Sequence, residues 1–170
     1  MDSPVEVETA AAAVRVAVGD FHRNSAMKPH HFLKAVDHDR IVAAIAAAER
    51  RTSGEIRVYI SRRKIDHALQ EAGHCFTKLK MRRTPLRNAV LIFIAPASHQ
   101  FAVVGDTGVH AQCGDDFWRE VVQVMEAGLK HGDFTEAIVH GVEKVATLLA
   151  AHFPPSAAGR NNLPDAVVED

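Results

Sequence analysis

Residues 89–95 read AVLIFIA, seven apolar positions in succession with no polar alternate. The run is short for a helix and rich in residues that favour strands, so it reads as a strand covered on both faces. Upstream, EIRVYIS at 55–61 alternates: Ile56, Val58 and Ile60 point one way, Arg57, Tyr59 and Ser61 the other. That is the pattern of a half-buried strand. Between the two, Ile65, Leu69, Ala72, Phe76 and Leu79 recur at helical spacing and predict an amphipathic helix. Strand, helix, strand implies a right-handed parallel crossover. After a turn at 96–100, FAVV at 101–104 forms a third strand. Its short connection makes it antiparallel to 89–95.

Helical patterns flank this unit. Asp37 is placed to cap a helix carrying Ile41, Ile45 and Ala48, with Arg50 and Arg51 near its C-terminal end and Ser53–Gly54 as its stop. Phe117, Val121, Met125 and Leu129 mark another helix, which Gly132 ends. Asp133 with Glu136 resembles a capping box before a stripe of Phe134, Ile138, Val142, Val145 and Leu149. The expected fold is an α/β domain, with amphipathic helices on both faces of a mixed, mostly parallel sheet. The domain is assigned to residues 37–153. Residues 1–36 are read as a partly disordered N-terminal extension, because the first 27 follow no clean period. Residues 154–170, after Pro154–Pro155, are read as a loose acidic tail.

With 170 residues the chain suits a single domain. Twenty Lys plus Arg against 21 Asp plus Glu leave a net charge of −1, which excludes a strongly basic nucleic-acid binder. Two cysteines supply neither a disulfide framework nor a cysteine zinc site. The N-terminal MDSPVEVETA has no basic stretch leading an apolar one, and no run is long enough to span a membrane. The expectation is a cytoplasmic protein with no membrane span and no organic cofactor. An unidentified protein partner and the oligomeric state stay open.

The topology brings chemistry to one sheet edge. The first strand begins at Glu55, the central strand just after Asn88, and the third ends just before Asp106. A helix expected to start near Asp115 and Asp116 follows closely. Converging carboxylates and an amide oxygen are hard donors that suit Ca²⁺ or Mg²⁺, which would relieve their repulsion. The plainer alternative makes Asp106 a turn residue, Asp115 or Asp116 a helix cap, and Glu55 the partner of an arginine. A basic loop of Arg82, Arg83 and Arg87 adjoins the edge, and Arg87 is the candidate for holding a phosphate. Alternatively, the loop pairs with the acidic cluster.

Other signatures are weak. The 11 histidines include His30–His31, His67, His74 and His140, but no HExxH arrangement. Nucleophile-elbow, P-loop and dinucleotide patterns are missing. Cys113, ahead of Gly114 near an expected helix start, is the more reactive thiol candidate, and a small packed residue is its plainer reading.

Three segments carry a family resemblance: AERRTSGEIRVYIS at 48–61, MRRTPLRNAVLIFIAP at 81–96 and VVGDTGVHAQCGDDFW at 103–118. Together they resemble the TPM domain family in its short bacterial branch, over residues 38–153. The resemblance implies a three-layer α/β/α domain around a mixed sheet. It also implies that Ser53, Gly54 and Glu55, Arg87 and Asn88, and Gly105 and Asp106 occupy the family's motif positions. Members are described as acid phosphatases, divalent-metal binders or accessory factors. Two departures stand out: many members carry a membrane helix or a Gly-rich tail, and longer-branch members have a different acidic motif where this chain has TGVHAQCGDDFW.

The functional expectation is a non-catalytic binding or accessory module with a Ca²⁺ or Mg²⁺ pocket formed by Glu55, Asn88, Asp106, Asp115 and Asp116. The alternative is a metal-dependent acid phosphatase acting on phosphomonoesters. There the cation would polarise the phosphoryl oxygen and Arg87 would hold the phosphate.

Overall fold

The structure is a computed structural model that describes residues 29–156 and 166–170, and the backbone of residues 15–20. In chain order the elements are β1 (Arg15–Asp20), α1 (Pro29–Ala35), α2 (His38–Glu49), β2 (Glu55–Ile60), α3 (Ala68–Lys78), β3 (Ala89–Ala95), β4 (Gln100–Gly105), α4 (Thr107–His131), α5 (Phe134–His152) and β5 (Val167–Glu169). The sheet order is β1-β4-β3-β2-β5. β2 pairs parallel with β3 and with β5, while β4 is antiparallel to β3 and to β1. Among the described strands, only β4 therefore runs against the others. The crossover between β2 and β3 and the reversal into β4 are as the connection lengths predict.

β3 is buried at every position, as a central strand with both faces covered should be. Ile56, Val58, Ile60, Val90, Ile92, Ile94, Phe101 and Val103 join the core formed with α2, α4 and α5. Tyr59, Leu91, Phe93, Ala102 and Val104 join Ala68, Ala72, Cys75 and Phe76 of α3, with Met81, on the other face. The three layers of the resemblance are present.

The structure corrects the sequence reading at several points. β2 is buried throughout rather than half-buried. β5 covers the outer edge of β2 from Val58 to Ile60, Tyr59 is buried with Ala72, Cys75 and Phe76 of α3, its ring stacking on Phe93 at 5.6 Å, and Arg57 is buried near the charges of Glu49 and Glu55. α3 begins at Ala68, so Ile65 is buried in the preceding loop, its N–H donating to Ser98 Oγ at 2.8 Å. α2 is capped as expected, Asp37 Oδ1 accepting from the Arg40 N–H at 3.0 Å. The capping box before α5 is not made: Asp133 offers no side-chain cap, and the Glu136 carboxylate pairs with Arg40 of α2 instead. Two segments assigned outside the domain carry strands. β1 adds to β4 from within the N-terminal extension, and β5 adds to β2 from the end of the tail, which is therefore not loose there. The remaining expectations for residues 1–14, 21–28 and 157–165 lie outside the described residues.

Candidate functional site

The backbone assembles the expected edge. Glu55 sits opposite Ala89 in the parallel register of β2 and β3, and Asn88 immediately precedes that position. The Asp106 N–H donates to the Ala89 carbonyl at 3.0 Å, which fixes the exit of β4 against the entry of β3. The turn before β3 is tight. The Arg87 N–H donates to the Thr84 carbonyl and the Asn88 N–H to Thr84 Oγ1, both at 3.1 Å, with Arg87 at φ 52°. The Gly108 N–H then donates to the Arg87 carbonyl at 3.0 Å. A Cβ at Gly108 would fall 2.2 Å from the Leu86 oxygen, so only glycine lets α4 start this close to the turn.

The centre of the edge is an ion pair. Asp106 Oδ2 accepts from Arg87 Nε at 2.7 Å and Oδ1 from Arg87 Nη2 at 2.8 Å, a two-pronged contact. Oδ1 also accepts from the Thr107 N–H at 2.8 Å, so Asp106 caps α4. The carboxylate is fully buried, whereas the Arg87 side chain is 38% exposed. The hydrogen bond to Asp106 raises the Arg87 pKa above its ordinary value.

The other edge residues are also engaged. Asn88 is buried, its Nδ2 donating to Ser53 Oγ at 3.4 Å. Thr52 Oγ1 donates to the Phe153 carbonyl at 2.6 Å and accepts from the Gly54 N–H at 3.0 Å, locking the turn into β2. Glu55 is buried at the start of β2. Burial pulls the Arg57 pKa down, and the charges of Glu49 and Glu55 oppose that pull, so Glu55 serves a buried arginine.

Asp115 and Asp116 are placed differently from Glu55, Asn88 and Asp106. α4 is two helices joined at Gly114, whose φ of 73° and ψ of −171° are non-helical: a short one starts at Thr107, and the one carrying Phe117, Val121, Met125 and Leu129 starts near Asp115 as expected. Both aspartates follow this break on the solvent side. Their side chains are 57% and 80% exposed; Asp115 lies 3.8 Å from His110 Nδ1 and Asp116 pairs with Arg119. Cys113 lies immediately before the break at Gly114, and burial pushes its thiol up to about 11, away from a reactive thiolate. Among the described residues, no three or more His, Cys, Asp or Glu side chains are grouped to hold a metal ion. Sequence reading missed the capping role of Asp106, whose signal was the Asp-Thr-Gly step after a strand, and the partnership of Thr84 with the Arg87 turn.

Among the described residues, no helix is long and apolar enough to cross a membrane. No curated protein matches the chain. Among solved structures, the chain is similar to the NMR structure of BA42 protein from the psychrophilic bacterium Bizionia argentinensis. The two are 34% identical, with a TM-score of 0.74 over 78% of this chain and 92% of that one. The model of the TPM domain matches residues 27–148, which include every strand and turn of the Glu55–Asn88–Asp106 edge. The chain belongs to the TPM domain family.

Proposed function

We propose that the chain is a non-catalytic binding or accessory module whose Asp106 edge exchanges a resident cation, the Arg87 guanidinium, for Ca²⁺ or Mg²⁺. One observation carries this reading: a fully buried carboxylate is neutralised by a side chain that is itself 38% exposed and so has a route out to water. In the closed arrangement the donor set does not fit a dication, because Arg87 holds both Asp106 oxygens and would repel one. A dication therefore enters only when Arg87 has left. Asp106, the Asn88 amide oxygen and Glu55 are the hard donors the edge then offers.

Melts of wild type and Arg87→Met, each with EDTA, Ca²⁺ or Mg²⁺, test this reading. Ligand binding to the folded form alone stabilises by about 2.7 kcal/mol at a hundredfold excess over Kd. Arg87→Met should melt higher with either cation than with EDTA, and wild type should respond less. Flat melts for both proteins would refute the exchange, and equal rises would refute the competition.

The phosphatase alternative ranks below this reading, because it asks Arg87 for the same Nε and Nη2 donors that Asp106 already uses. EDTA-sensitive turnover of an aryl phosphate would reverse the order.

A further inference from the structure

The opposite end of β2 carries a second constellation. β5 pairs with β2 through Val58 and Val167, Tyr59 and Val168, and Ile60 and Glu169. Beyond these pairs, Asp170 Oδ1 accepts from the Arg62 N–H at 2.6 Å. Asp170 Oδ2 accepts from Ser61 Oγ at 2.9 Å and from Arg63 Nε at 2.8 Å. Glu169 is paired through Oε2 with Arg62 Nη2 at 2.5 Å, and its Oε1 lies 2.7 Å from His38 Nε2. Arg63 is also 3.7 Å from Glu71 of α3. The alternation is that of an added strand. Val167 packs toward the core under α2 and Val168 toward the core under α3, while the two acidic side chains meet basic groups at the strand end.

Such an edge reads backbone and charge together. Backbone pairing gives affinity for any extended segment, and the side-chain partners select which segment. Three pairs of a partly buried strand, held by ion pairs that salt screens, form a contact that can be displaced. Phe153 is tied to the start of β2 through Thr52 and Ser53, so the chain leading to β5 leaves from the sheet that β5 completes. Covalent attachment makes docking of β5 an intramolecular event, which favours the chain's own tail over a free copy.

We propose that the outer edge of β2, with Ser61, Arg62, Arg63 and His38 at its end, is a strand-addition site for an acidic peptide of the pattern Val-Val-Glu-Asp borne by a partner protein, and that residues 166–170 occupy it as an intramolecular competitor. This site is independent of the Asp106 edge, so a failed cation titration leaves it untouched.

The test uses the full chain and a fluorescein-labelled peptide with the sequence DAVVED, followed by fluorescence anisotropy. Glu169→Lys combined with Asp170→Lys places cations against Arg62 and Arg63 and releases the tail. The released variant should bind the peptide at least tenfold more tightly than wild type. Adding Arg62→Glu and Arg63→Glu should abolish that binding, and a DAVVKK peptide should not bind. A released variant that stays folded by its Trp118 emission yet binds no better than wild type overturns the proposal, as does equal binding of DAVVKK. A wild-type dimer that dissociates when the tail is released would assign the edge to a second copy and overturn intramolecular competition. Should the released variant not fold, wild type with excess DAVVED must show amide shifts across Val58–Arg63, and their absence overturns the proposal.

Discussion

Replacing Arg87 with Met should destabilise the fold by about 3 kcal/mol, more than replacing its buried partner Asp106 with Asn. Removing one member of a buried pair leaves an uncompensated charge and costs roughly 3–5 kcal/mol. The low end applies because Asp106 keeps the Thr107 N–H at 2.8 Å and the positive end of α4. Met is the informative replacement: at φ 52° it bears the same left-handed backbone cost as Arg, so the difference reports the side chain. Asp106→Asn removes the charge but keeps a good capping group, and the abandoned guanidinium, 38% exposed, turns to water. Its expected cost is about 1 kcal/mol, the net worth of an ordinary hydrogen bond. The double variant should fall short of the sum by about 2 kcal/mol, since residues sharing one contact couple. Urea unfolding followed by Trp118 emission measures all four proteins. Trp118 is the single tryptophan, and its ring packs so closely on Gly105 that a Cβ there would lie 2.1 Å from it. Equal costs for the two single variants, or additivity in the double, would mean that Asp106 does not depend on Arg87 for its burial.

Leu91→Ala should lower stability by roughly 2–5 kcal/mol through lost burial and a cavity, because Leu91 is fully buried in the central strand. Leu86→Ala, at a site 57% exposed, should stay within about 0.5 kcal/mol, and similar urea midpoints for the two would contradict the assignment of β3 as the covered strand. Burial acts to raise the Asp170 pKa, but hydrogen bonds from Arg63, the Arg62 N–H and Ser61 outweigh it, and the carboxyl lies below its ordinary value. Its contribution is therefore present above an unfolded value of about 4 and is lost as pH falls through the lower folded value. Asp170→Asn should be less stable than wild type at neutral pH and approach it in acid; a difference that grows toward acid would contradict the contacts that hold β5.

Much of the edge is legible in the amino-acid sequence. Periodicity and connection length set β2, β3 and β4 in their mutual directions. Those directions alone bring Glu55, Asn88 and Asp106 to one end of the sheet. The capping of α2 by Asp37 was equally visible, because a cap is a contact between residues three apart. Asp115 and Asp116 open the striped helix as its period suggests, but a short helix from Thr107 and the break at Gly114 lie between them and Asp106, and their side chains face solvent.

What the chain order alone determined is the set of local elements and the connections between them, since both depend on neighbouring residues and on the reach of short loops. Tertiary structure decided what each surface meets. Arg57 and Tyr59 look solvent-facing by alternation, yet both are buried: β5, more than a hundred residues on, pairs with the edge at Tyr59, and α3 packs against the Tyr59 ring. Three residues such as Val167–Glu169 are too few to display a period, so their strand exists only because the edge of β2 offers unpaired backbone groups to accept it. The contact between Arg87 and Asp106 was chosen the same way. Several arginines and carboxylates adjoin the edge, and only the tight turn at Thr84–Asn88 and the close start of α4 at Gly108 select this pair.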